Sequence, residues 1–101
     1  MSTSASTSAT STTIVYILYS PLVDRYFVGK TSDLEKSLAR HNSGKNKHTK
    51  TGLPWNLMYK ESFDSAETAR EKELAIKSSA NREQLVGFIR SGENELNDDN
   101  L

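Results

Sequence analysis

Two β-rich apolar runs only four residues apart constrain this chain most. TIVYILYS (13–20) is β-branched and aromatic, and RYFVGK (25–30) follows after PLVD. A run as uniformly apolar as the first suits a strand buried on both faces. Pro21 and Asp24 mark the turn between them. Strands joined so closely pair antiparallel, so the fold is expected to begin with a hairpin. The period then changes. Leu34 and Leu38 are spaced i, i+4, as on one face of a helix. Ser32 with Glu35 three residues on has the form of a capping box, and Asp33 suits a positive helix N-terminus. This helix is expected to end near Asn42–Gly44. WNLMYKESF (55–63) reads as a third strand. Asp64 and Ser65 can cap a second helix, SAETAREKELAIK, with Ala66, Ala69, Leu74 and Ile76 as its apolar positions. Asn81 can cap a third, with Leu85, Phe88 and Ile89 facing inward. The order ββαβαα predicts an α+β domain, a small antiparallel sheet with helices packed against it.

At 101 residues the chain has room for one small domain. It has no cysteine, which excludes disulfides, thiol chemistry and zinc fingers and agrees with an intracellular protein. No apolar run approaches the ~20 residues that span a bilayer. Residues 1–12 are nearly pure Ser, Thr and Ala, without the charge or apolar segment of a targeting peptide, and read as a disordered tail. Residues 91–101 carry four acids and no base and read as an acidic, solvated tail. The domain is thereby bounded at 13–90. There thirteen Lys and Arg meet nine Asp and Glu, a net +4 inside a chain that is neutral overall. The excess is concentrated in RHNSGKNKHTK (40–50), with four Lys or Arg, two His and no acid. Such a loop is either a solvated excursion or a contact for a polyanion.

Three sets of residues could carry chemistry. Tyr16, Tyr19 and Tyr26 lie on the two hairpin strands, where tyrosines are ordinarily core or interface residues. A functional tyrosine would use its hydroxyl to orient or deprotonate a water. Lys36, Ser37, Arg40 and His41 share the first helix, with Ser37 and His41 at i, i+4 beside the apolar stripe. Glu71 lies on the charged second helix, where one carboxylate can hold Mg²⁺ if phosphate and water complete the shell. There is no glycine-rich phosphate loop and no nucleophile elbow.

In order, VYILYS, RYFVGKTSDLEKSLARHNSGK, TKTGLPWNLMYKESF and SAETAREKEL resemble a GIY-YIG nuclease domain over about residues 13–90. The likeness is to the small stand-alone type related to the N-terminal nuclease domain of a DNA-repair excinuclease. It implies a three-stranded antiparallel sheet with flanking helices, and cleavage of phosphodiester bonds in DNA, branched or damaged, with one Mg²⁺ or Mn²⁺. The first motif falls on Ile14-Val15-Tyr16, lacking its glycine but keeping the tyrosine. The second falls on Phe27-Val28-Gly29, keeping the glycine but replacing the tyrosine. The helix arginine falls on Ser37, the helix histidine on His41, and the metal-binding glutamate on Glu71. The resemblance therefore implies Tyr16, His41 and Glu71 as catalytic residues, Glu71 as metal ligand, and Phe27 and Ser37 as substituted positions. Lys30, Lys36, Arg40, Lys45, Lys47, His48 and Lys50 are the expected DNA contacts.

Losing one preorganised donor costs on the order of 10²–10³ in rate, so two replacements imply weak activity. Three readings follow. One is a divergent metal-dependent endonuclease. Another is a catalytically inactive nucleic-acid-binding module. The third is a protein-interaction domain working through its tails.

Overall fold

The computed structural model of the protein describes residues 12–100. The hairpin forms as expected: β1 (Thr13–Ser20) and β2 (Arg25–Thr31) pair antiparallel, with Tyr16 opposite Gly29 and Leu18 opposite Phe27. β3 (Asn56–Phe63) adds on the other side of β1, also antiparallel, with an irregularity between Ile17 and Leu18. The sheet order is β2-β1-β3, so the apolar first strand is central and buried on both faces. Three helices complete the domain: α1 (Leu34–Asn42), α2 (Ala66–Lys77) and α3 (Arg82–Arg90).

Alternation along β1 divides the core in two. Val15 and Ile17 join Tyr59, Ala69 and Ile76, with Tyr26, Val28, Leu85, Phe88 and Ile89 packed around them. This face carries α2 and α3. Tyr16 and Leu18 join Trp55 on the other face, with Phe27, Leu34, Leu38, Leu53 and Leu57. That face carries α1 and the basic loop. The loop ends in a 3₁₀ turn, Lys50–Gly52, pinned where Trp55 Nε1 donates to Thr49 O at 2.6 Å. Gly52 fits so closely that a Cβ would lie 2.6 Å from Trp55 and 2.9 Å from Ser20 Oγ.

Several local expectations shift. Asp33 rather than Ser32 caps α1, accepting from Lys36 N at 3.1 Å. As expected, Ser65 caps α2 and Asn81 caps α3. Leu74, expected on the apolar face of α2, is 50% exposed. The buried positions of that helix are Ala69, Glu73 and Ile76, spaced i, i+4, i+7. The end of the chain also differs from a solvated tail. Residues Glu95–Asn100 form a 3₁₀ helix against β3. Asn94, only 1% exposed, donates to Met58 O and Ile89 O and accepts from Lys60 N and Leu96 N. Its amide satisfies backbone groups that burial would otherwise orphan, so the packed unit extends past Arg90. The expected N-terminal tail falls, but for Thr12, outside the described residues.

Candidate active site

β2 is an edge strand, and a pocket wraps around that edge. α1 supplies one wall with Ser37, Arg40 and His41; α2 supplies the other with Glu73 and Lys77; Tyr16, Phe27, Gly29 and Lys30 form the floor. The hairpin register decides which side chains meet. Tyr16 and Gly29 are paired across the sheet, and a Cβ on Gly29 would lie 2.9 Å from Tyr16 Oη. The missing side chain lets the phenol lie over β2 and reach toward α1.

There Tyr16 Oη lies 3.1 Å from His41 Nε2. His41 Nδ1 in turn lies 2.9 Å from the hydroxyl of Thr49, which is fully buried. Three side chains far apart in sequence thus form one hydrogen-bonded line. Burial, and then the charge of Arg40, push the His41 pKa down, which favours the neutral ring. Burial chiefly, and then the negative charge of Glu73, push the Tyr16 pKa up; its interaction with Ser37 works the other way. Tyr16 is accordingly a protonated phenol beside a neutral imidazole at neutral pH.

Phe27 occupies the position where the resemblance places a second tyrosine. Its ring centroid is 4.8 Å from that of His41 and 6.3 Å from that of Tyr16. It holds the imidazole by packing and supplies no polar atom. Ser37 donates to Thr31 Oγ1 at 2.7 Å, so a short neutral pair stands where the resemblance places a guanidinium.

The acidic wall differs from expectation. Glu71 is exposed and does not line the pocket. Glu73 does, and is the sole carboxylate among the lining residues. Two residues along a helix turn the side chain by about 200°, so Glu71 and Glu73 point to opposite sides of α2. Burial would raise the Glu73 pKa, but hydrogen bonds from Lys77 and Lys30 hold the carboxyl below its ordinary value. These ion pairs measure 3.1 Å to Lys77 and 3.2 Å to Lys30. Sequence reasoning missed both Glu73 and Lys77; the Ala69–Glu73–Ile76 stripe was the signal that could have found the carboxylate. Among the described residues, no group of three or more His, Asp and Glu side chains could hold a metal ion.

The remaining expected contacts spread away from the pocket. Lys36 lies on a shallow groove with Asp33 and Arg40. Lys45, Lys47, His48 and Lys50 belong to the loop, and His48 borders a separate groove with Val23, Arg25, Thr51 and Trp55. Among the described residues no helix is long and apolar enough to cross a membrane.

Comparison with known proteins agrees with this fold. The profile of the GIY-YIG catalytic domain matches residues 12–85. UPF0213 proteins of Streptococcus pyogenes serotype M5 (strain Manfredo) and serotype M3 (strain SSI-1) are 41% identical over 70 residues, which is 68% of this chain and 76% of theirs. The solution NMR structure of a UPF0213 protein from Bacillus halodurans superposes with a TM-score of 0.51 at 32% identity, covering 80% of this chain and 87% of that one.

Proposed function

Because the chain belongs to the GIY-YIG catalytic domain family, we propose that its pocket takes a DNA phosphodiester and hydrolyses it slowly, aided by a divalent cation. The observation that carries this reading is the Tyr16–His41 hydrogen bond facing Glu73 across one pocket. With Nδ1 protonated and donating to Thr49, the Nε2 lone pair accepts the Tyr16 O–H. A water attacking phosphorus gives a proton to Tyr16 Oη, while Tyr16 passes its own to His41 Nε2; the ester P–O bond opposite the water breaks and the departing sugar oxygen takes a proton from solvent. The imidazole thus stores the proton without the phenol ever becoming a free phenolate. Arg40 opposes that imidazolium and so slows the step, but together with Lys30 and Lys77 it attracts the phosphate.

Glu73 fits the role of carboxylate ligand and Glu71 does not, because only Glu73 opens to the pocket. A single carboxylate holds Mg²⁺ or Mn²⁺ when phosphate oxygens and water fill the shell. Such an ion would polarise the phosphoryl oxygen. Lys30 and Lys77 pair with the same carboxylate and would compete with such an ion for it.

A second reading has its own support. Phe27 and Ser37 remove two polar groups, and Glu73 is already neutralised by two lysines. On that reading the domain binds nucleic acid without cutting it. Nicked and branched DNA incubated with Mg²⁺ or Mn²⁺ separates the two. The nuclease reading expects slow cleavage that Glu73→Ala abolishes and Glu71→Ala leaves intact. No cleavage by the parent, with activity appearing in Phe27→Tyr/Ser37→Arg, would establish the binding module instead.

A further inference from the structure

The β1–β2 turn holds apolar side chains in solvent on a rigid mount. Leu22 is 70% exposed and Val23 39%. Exposed leucines are common, but a flexible turn would let them fold back onto the nearest apolar surface. Here the backbone is fixed from both sides. Ser20 Oγ, itself buried, accepts from Val23 N at 3.2 Å. Asp24, at φ 55°, accepts from Tyr19 Oη at 2.6 Å, and both its carboxylate oxygens accept from Arg82 Nη1 at 3.0 Å. Arg82 Nη2 also donates to Asp24 O at 2.8 Å and the guanidinium lies over the Tyr26 ring. The sheet, α3 and the turn are thereby clasped together, with Leu22 left outside.

The surroundings of this tip are basic. The turn's own acid, Asp24, is committed to Arg82. Val23 shares a groove with Arg25 and His48, and the close fit of Gly52 on Ser20 seats the basic loop against the base of the hairpin. Two apolar side chains fall far short of the ~800 Å² per partner of a stable protein interface. An apolar point beside the Arg25 guanidinium and the hydrogen-bonding ring of His48 suits a polyanion with a stacked apolar interior.

We infer that this turn is a wedge for DNA: Leu22 inserts beside a base at a nick or branch while Arg25 and His48 face the adjoining phosphates. Inserted apolar side chains unstack base steps at a cost of a few kcal/mol, least where the stack is already broken. The inference rests on the DNA-binding reading of the pocket and adds a source of structural preference to it. Tyr16 and Ser20 are four residues apart on one strand, about 13 Å, and the tip lies just beyond. At ~3.4 Å per nucleotide, the unstacked step lies about four to six nucleotides from the phosphate in the pocket.

The test uses the full chain and duplexes carrying 2-aminopurine at a nick, compared with intact duplexes at low salt. The parent should raise the 2-aminopurine fluorescence and prefer the nicked duplex. Leu22→Ser should abolish the rise and lower that preference about tenfold, with intact-duplex affinity within about twofold of the parent. Unchanged fluorescence and preference in Leu22→Ser would overturn the wedge while leaving DNA binding standing. Self-association of the parent that Leu22→Ser removes would overturn it in favour of a contact between copies. Failure of the parent to bind either duplex would remove the pocket reading and the wedge together.

Discussion

The buried line Tyr16–His41–Thr49 links stability to pH through one residue. His41 has its pKa pushed below the ordinary 6.5, so the folded state resists protonation more than the unfolded chain does. As pH falls through 6.5 the unfolded state takes up the proton first. Its contribution to stability is therefore present above that value and shrinks as pH falls toward the folded pKa. Glu73 and Asp24 have lowered pKa values and lose their contributions only below their ordinary 4.5 and 3.8. Urea unfolding at pH 7.5 and 5.5 should consequently isolate His41. The midpoint should drop at pH 5.5, and the drop should shrink in His41→Gln. An equal drop in both proteins would show that the imidazole is not held neutral by its surroundings.

At the scale of elements, the buried Asn94 amide anchors the start of the C-terminal 3₁₀ helix, beside more exposed bonds from Asn97 to Ile89 O and Ser91 O and between Glu95 and Ser62. Asn94→Ala leaves Met58 O, Lys60 N and Leu96 N without this partner and weakens the bonding at Ile89 O. Orphaned buried groups of this kind cost on the order of 3 kcal/mol in total. For a domain of this size that lowers Tm by roughly 10–20 °C. Glu95→Ala, whose hydrogen bonds to Ser62 are exposed, should cost about 1 kcal/mol or less. Similar losses for both variants would mean that the segment is not anchored through Asn94.

This pair also shows which elements can be read from a sequence. The hairpin, β3 and the three helices announce themselves through apolar period and capping residues. The segment after Gly92 is almost wholly polar, and its order comes from side-chain amides meeting distant backbone, which no local period reports. That Glu73 rather than Glu71 turns to the pocket was hidden for a related reason. A charged helix offers many carboxylates, and only the phase of its buried stripe tells which one turns inward. That Tyr16 and His41 border one candidate pocket was legible because each lies on an element whose face was fixed by neighbouring apolar residues; the place of Thr49, in an irregular loop, was not.

Over the whole molecule, neutrality conceals a separation of charge. Glu93 pairs with Lys72, and Glu95 bonds Ser62 on β3, at the sheet edge opposite the pocket on β2. Arg40, Lys30 and Lys77 line the pocket at the β2 edge, and Asn46 brings the basic loop to its rim. A DNA strand running from the pocket across the loop would meet about four phosphate-binding cations. Counterion release then gives a slope of log K against log salt near −3.6, or about a 10²-fold loss of affinity between 50 and 200 mM salt. Lys47→Ala/Lys50→Ala should lower the slope by about two while leaving the fold unchanged, because both side chains are exposed. Fluorescence anisotropy with a labelled duplex across a salt series measures this directly. A flat response, or a slope untouched by the double substitution, would mean that the loop does not lie on the phosphate backbone. The basic surface would then have to be explained by a protein partner.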